Sequence, residues 1–178
     1  MNDRELAESI RKIAFLEGDF TLRSGRKSKY YLDKYLFETE PSVLRELGKR
    51  FAKHIDPDTD RIAGPELGAV ALAAATSLET GKPFVIVRNA KKADYGTGKL
   101  VEGKLEKGER VVIVEDIATS GGQAIEAART LTEAGAVVTK VVAVIDRMEG
   151  AAENMKSAGF AFESLFTSAD LGIVPQNV

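Results

Sequence analysis

The sequence predicts an α/β fold in which a central parallel sheet is flanked by helices, and three observations lead there. Short apolar, β-rich runs recur at 61–63, 83–87, 110–116, 137–146 and 160–166. Segments with helical apolar spacing lie between them. Glycine or proline punctuates the joints. Strands and helices alternating in this way imply a sheet covered on both faces, with ligands gathered at the carboxyl ends of its strands. At 178 residues the chain is one domain with apolar surface enough for its own core.

Each element has its own warrant. Leu6, Ile10, Ile13 and Ala14 repeat at helical spacing and predict an amphipathic helix over 3–16, ended by Gly18. Pro41 suits a helix start, and Val43, Leu44, Leu47 and Phe51 form one face through 53. The strand at 61–63 is broken by Gly64-Pro65, and an alanine-rich helix follows over 67–79, closed by Gly81. Residues 83–87 read as a buried strand. Residues 89–107 are polar and basic, carry Gly96, Gly98 and Gly103, and read as a long loop or loose hairpin. After the strand 110–116, a helix over 122–134 buries Ile125, Ala128 and Leu131 and is capped by Gly135. A strongly apolar strand at 137–146, a helix over 149–158 and a strand at 160–166 complete the chain.

Composition removes several functions. The formal charge is −2 with 29% charged residues, which is no electrostatic footprint for nucleic acid or a membrane surface. With no cysteine there is no disulfide frame, zinc-thiolate site or cysteine nucleophile, and the one histidine, His54, excludes a multi-histidine metal site. His54 is expected at the surface. Charged residues interrupt the first eight positions, so no secretion signal is expected, and no apolar stretch approaches the roughly 20 residues that cross a bilayer. A cytoplasmic location is expected, with neither nucleic acid nor membrane as partner.

The most informative segment is Arg110 to Gln123, RVVIVEDIATSGGQ. An apolar strand runs into Glu115-Asp116, then Ile117-Ala118 and the turn Thr119-Ser120-Gly121-Gly122, which opens the helix that carries Gln123. Amides at such a turn suit a phosphate. The segment has neither the Gly-Lys-Ser/Thr of a P-loop nor the glycine spacing of a dinucleotide fingerprint. Two carboxylates before the turn would repel a bare phosphate. They suit a ligand that also carries hydroxyls, and a sugar phosphate has both ends.

Four other segments sit at strand ends or on a basic run. Gly64 to Gly68 is a turn into a helix, either a pyrophosphate cradle or a plain tight turn, with Glu66 adding a negative charge. Arg88, Lys91, Lys92 and Lys99 load a glycine-bearing loop with cations, fitting either a lid over a leaving group or a solvated loop. Arg147 could fork onto a carboxylate or pair with Asp146 or Glu149. Arg23 to Tyr31 is cationic and ends in Tyr30-Tyr31, which could wall a planar base or form a basic hairpin packed by one tyrosine.

The Arg110–Gln123 run resembles the ribose-phosphate motif of type I phosphoribosyltransferases. Taken with Gly18 to Tyr31, Asp94 to Gly103 and Val144 to Arg147, the chain is similar to the orotate phosphoribosyltransferases among them. The lid departs from the family pattern: Arg88-Asn89-Ala90-Lys91-Lys92-Ala93-Asp94-Tyr95-Gly96 is one residue longer, has Asn89 where lysine is common and Tyr95 for the more frequent histidine. Either Lys91 or Lys92 is then the catalytic lysine, with Lys92 favoured. The pyrophosphate loop has Glu66-Leu67 where some members carry a lysine.

The resemblance implies a Rossmann-like sheet with a small hood, made by about 1–40 and the C-terminal end, that binds the base. It implies transfer of ribose 5-phosphate from phosphoribosyl pyrophosphate (PRPP) to orotate, giving orotidine 5′-monophosphate in pyrimidine (UMP) biosynthesis. Lys92, Arg88 and Asp116 would be catalytic. Arg88, Lys91, Lys92, Tyr95 and the run Glu115, Asp116, Ile117, Ala118, Thr119, Ser120, Gly121, Gly122, Gln123 would bind PRPP, and Arg23, Tyr30, Tyr31, Thr119 and Arg147 would bind orotate. Mg²⁺ would be held mainly through PRPP and water, with no direct protein ligand, and the lid would reach into the partner's site in a homodimer. Salvage of another base is an alternative. So is a PRPP-sensing transcriptional regulator, but the segment before Gly18 predicts a single helix, too little for a helix-turn-helix.

Overall fold

The computed structural model describes residues 1–21, 25, 27–89 and 98–173. Helix α1 (Asp3–Ala14) starts at Asn2, whose side chain accepts the Glu5 N–H while Glu5 bonds back to the Asn2 amide. It ends two residues before the expected boundary, because Phe15 already belongs to β1 (Phe15–Thr21). β1 pairs antiparallel with β2 (Lys27–Leu32), matching Phe15 to Leu32 and Leu16 to Tyr31, and the Phe15 ring stacks on Tyr30 at 5.3 Å. That cross-strand pairing outweighs the helical spacing of the same apolar residues. Gly18 therefore lies within a strand and does not cap the helix.

Helix α2 (Lys34–Glu38), capped by Asp33, was not expected: five residues are too few to show a period. Helix α3 (Pro41–Ala52) follows, and then β3 (Arg61–Pro65), whose ladder continues through Gly64 and Pro65 instead of breaking there. Helix α4 (Ala69–Thr80) starts later than expected and closes at Gly81, which takes a left-handed conformation. After β4 (Phe84–Val87) the loose-hairpin reading of 89–107 holds at its described end, where β5 (Val101–Glu102) pairs antiparallel with β4. β6 (Arg110–Ala118) runs two residues beyond the expected end. Helix α5 (Gly122–Glu133) buries Ala128 and Leu131 as expected, with Ala124 and Ala127 inside and Ile125 at the margin. β7 (Val137–Asp146), α6 (Ala151–Ser157) and β8 (Phe162–Thr167) complete the order, the last two starting two residues later than expected.

The main sheet is ordered β5-β4-β3-β6-β7-β8. It is parallel except for the antiparallel edge strand β5, which the expectation of a parallel sheet did not include. Strand β6 divides its apolar residues by period 2: Val112 and Val114 join the core with α1, α3 and α4, while Val111 and Ile113 join the core with α5 and α6. The topology reverses between β3 and β6, and a crevice forms at such a switch point, outside the strands' carboxyl ends. The loop after β3 and the turn after β6 both open there. Arg11 ties α1 to the C-terminal segment, donating to the carbonyls of Leu171 at 2.6 Å and Gly172 at 2.7 Å. His54 is half-buried, not fully at the surface, and its Nδ1 lies 2.6 Å from Glu163. No helix among the described residues is long and apolar enough to cross a membrane.

Candidate active site

The acid pair ends a nearly buried strand. Glu115 is 6% exposed and Asp116 4%. Adjacent strand residues point to opposite faces, so the two carboxylates meet different neighbours. Glu115 lines a cavity of about 420 Å³ whose wall is otherwise the run Ile117–Ala124 with Glu126. Its Oε1 accepts the Asp116 N–H at 3.1 Å, while Oε2 is buried without a partner. Burial, and then the charge of Asp116, hold the Glu115 carboxyl well above the usual carboxylate range.

The turn beyond has the backbone that suits an anion. Gly121 has φ 78°, a left-handed conformation that glycine takes without steric cost. It is the N-cap of α5 and offers no side chain to the helix's first amides, and Gly122, Gln123 and Ala124 of that first turn line the cavity. Thr119 and Ser120 are exposed at its mouth. The site thus has one end that accepts hydrogen bonds and one that donates them.

Asp116 turns toward the loop after β3. A Cβ placed on Gly68 would lie 2.0 Å from Asp116 Oδ2, so the two residues are in direct contact. Lys34 of α2 donates to the same oxygen at 2.7 Å. Burial works against the Lys34 charge, but Asp116 outweighs it and raises the ammonium's pKa. Glu38, on the same helix, is 2% exposed, and burial followed by Asp116's charge pushes its carboxyl up to about 8. Lys34 and Glu38 were missed in the sequence. Their four-residue spacing was the one available signal, and on a helix this short it is no signal at all.

The two departures noted in the pyrophosphate loop and the lid meet each other. The Asn89 N–H donates to Glu66 Oε1 at 2.8 Å, and Asn89 Nδ2 donates to the Glu66 carbonyl at 3.0 Å. Arg88 lies between acids, donating to Glu102 at 3.3 Å, with its buried Nε 3.9 Å from Glu66 and without a hydrogen bond. Lys91, Lys92 and Tyr95 of the lid and Arg23 of the hairpin lie outside the described residues.

One strand over from β6, the Arg147 N–H donates to the Ala118 carbonyl at 2.9 Å, which docks β7's end against the acid-bearing strand. Its guanidinium donates to the Tyr30 hydroxyl at 3.3 Å and lies 3.1 Å from Glu149. Tyr30 and Arg147 therefore form one unit between hairpin and sheet. Tyr31 is on the other face of β2, 43% exposed and beside Phe20, so the two tyrosines do not make a common wall.

Residues 37–174 match the family model described as the phosphoribosyl transferase domain. An orotate phosphoribosyltransferase of Methanocella arvoryzae is 48% identical over 170 residues, 95% of this chain and 97% of that one. The chain belongs to the orotate phosphoribosyltransferase family. Among solved structures, the Mycobacterium tuberculosis orotate phosphoribosyltransferase in complex with Fe(III) dicitrate superposes with a TM-score of 0.85 at 34% identity, covering 96% of this chain and 99% of that one. The same enzyme in complex with PRPP gives 0.81 at 33% identity, covering 96% and 99%. These likenesses cover 96% of the chain and so extend beyond the matched domain.

Proposed function

We propose that the crevice between β3 and β6 binds PRPP, with orotate held between it and the N-terminal hairpin. The chain is a phosphoribosyltransferase that joins orotate N1 to the anomeric carbon of PRPP. That carbon's bond to the pyrophosphate oxygen breaks, pyrophosphate leaves with the electron pair, and orotate gives up its N1 proton to solvent. The supporting observation is the divided cavity, with carboxyl oxygens at the end of β6 and uncapped amides at the start of α5.

Glu115 and Asp116 accept the ribose hydroxyls, and Thr119 to Gly122 hold the 5′-phosphate through amides and hydroxyls. Arg147, fixed by Tyr30, grips the orotate carboxylate or a ring carbonyl, with Tyr31, Thr119 and Arg23 at the base. Negative charge develops on the departing pyrophosphate, so cations belong there. Arg88, released from Glu66 and Glu102, and Lys92, with Lys91 beside it, supply them, and Tyr95 completes the lid. No covalent nucleophile is required.

Mg²⁺ carried on PRPP would supply further charge neutralisation as the pyrophosphate leaves. The unpartnered, buried Glu115 Oε2 fits a hydroxyl or water belonging to such an ion's shell. The binding hood is α1, the hairpin and the C-terminal segment, supported by the Arg11 link between them. The functional unit is a homodimer in which each lid closes over the partner's site. The test is orotate consumption followed by ultraviolet absorbance with PRPP and Mg²⁺. Rapid loss with orotate, and none with uracil, adenine or hypoxanthine as base, is expected. Equal turnover of a purine would overturn the base assignment.

A further inference from the structure

Asp116 is approached from two sides. On one lies Gly68, which has no side chain, and the loop's other residues Glu66 and Leu67 bring no cation. A Cβ at Gly68 would sit 2.0 Å from Asp116 Oδ2 and 3.1 Å from Glu38 Oε1. On the other side, α2 delivers Lys34 and Glu38, four positions apart and so on one helix face. The Lys34 ammonium reaches Asp116 Oδ2 at 2.7 Å from a side chain that is itself 27% exposed.

The balance of charge gives this contact its meaning. Three carboxyl groups are buried here: Glu38, Glu115 and Asp116. Lys34 is the ammonium that faces them, with Asp33 at the helix cap and Tyr35 as the other titratable groups of α2 alongside. Burying an unpaired carboxylate is costly. Glu38 Oε1 and Glu115 Oε2 have no partner, whereas Asp116 has the ion pair. Both unpaired acids are pushed toward their neutral form. Of the three neighbouring acids, Asp116 is the one that the Lys34 ammonium reaches.

We propose that Lys34 is a positioning residue for phosphoribosyl transfer, fixing the orientation of Asp116 so that this carboxylate accepts the ribose hydroxyls of PRPP. The inference rests on the assignment of Asp116 to the ribose. Lys34 acts through Asp116 and not on the base, so its effect falls on PRPP and spares orotate. Arginine can keep the charge and the donor; methionine keeps the length without either.

The experiment is a double-mutant cycle on the full chain, read as steady-state constants for PRPP and orotate. Lys34→Met should raise the KM for PRPP by roughly tenfold or more, the scale of a lost charge-assisted hydrogen bond, and leave the orotate KM unchanged. Lys34→Arg should recover most of the loss. In an Asp116→Asn background, Lys34→Met should add little, because residues acting through one another are not additive. Thermal unfolding shows which variants fold; should Lys34→Met fail to fold, Lys34→Gln takes its place in the cycle. If Asp116→Asn has a normal KM for PRPP, the ribose assignment fails and this inference with it. If Asp116→Asn is impaired while the Lys34 variant is not, or the two effects add fully, the ribose assignment survives and the role of Lys34 is refuted.

Discussion

Replacing Gly68 by alanine adds one methyl group at the point where the loop after β3 touches Asp116. The backbone there has φ −57° and ψ −50°, ordinary helical values, so alanine carries no conformational penalty. Backbone considerations alone predict a gain of about 0.4–1 kcal/mol from the less flexible unfolded chain. The new Cβ, however, would stand 2.0 Å from Asp116 Oδ2. That is far inside van der Waals contact, so the carboxylate must withdraw by about 1 Å or more. It would then leave the 2.7 Å bond from Lys34 and the place from which it meets ribose. Loss of one charge-assisted hydrogen bond is worth about 1.5–3 kcal/mol, or roughly 10- to 150-fold in affinity. Initial rates at saturating orotate and varied PRPP should show that rise in the PRPP KM, with a circular dichroism spectrum like that of the unaltered protein. A folded Gly68→Ala variant with an unchanged PRPP KM would refute the reasoning, because it would mean that Asp116's position has no bearing on the sugar.

Three further outcomes are expected. Arg147→Ala should weaken orotate while leaving PRPP binding nearly intact, measured by calorimetric titration of each ligand; equal weakening of both would contradict the division of the site. Lys92→Ala should lower turnover far more than PRPP affinity, since its work is done in the transition state; an unchanged turnover number moves the role to Lys91. Glu38 binds its proton more tightly folded than unfolded, so its contribution to stability is complete below the ordinary carboxylate value near 4.5 and is lost as pH rises toward about 8. The melting temperature of the ligand-free protein should therefore fall across that window, and Glu38→Gln, which titrates nowhere, should flatten the fall. A slope unaffected by Glu38→Gln would place its origin elsewhere.

Most of the sheet was legible in the sequence because its strands are continuous apolar runs. β7 coincides with the expected 137–146, and β6 was found with its acids. What escaped depended on partners distant in sequence. Phe15 looks like one more turn of α1 until Tyr30 stacks on it from β2. β5 has two residues and exists through pairing with β4. Within the site, the acid pair and the glycine turn could be read because their chemistry is local. Lys34 and Glu38 could not, since their meaning comes from Asp116, far along the chain and brought near only by the fold. The split between Tyr30 and Tyr31 was implicit in strand alternation, but the aromatic pair obscured it.

The most direct test of the divided pocket is a crystal structure with PRPP bound. Glu115 and Asp116 should accept hydrogen bonds from the ribose hydroxyls, with the 5′-phosphate seated on the amides of 119–122. A pentose bound with both acid side chains turned away from it, or a pyrophosphate seated in that turn, would contradict the account.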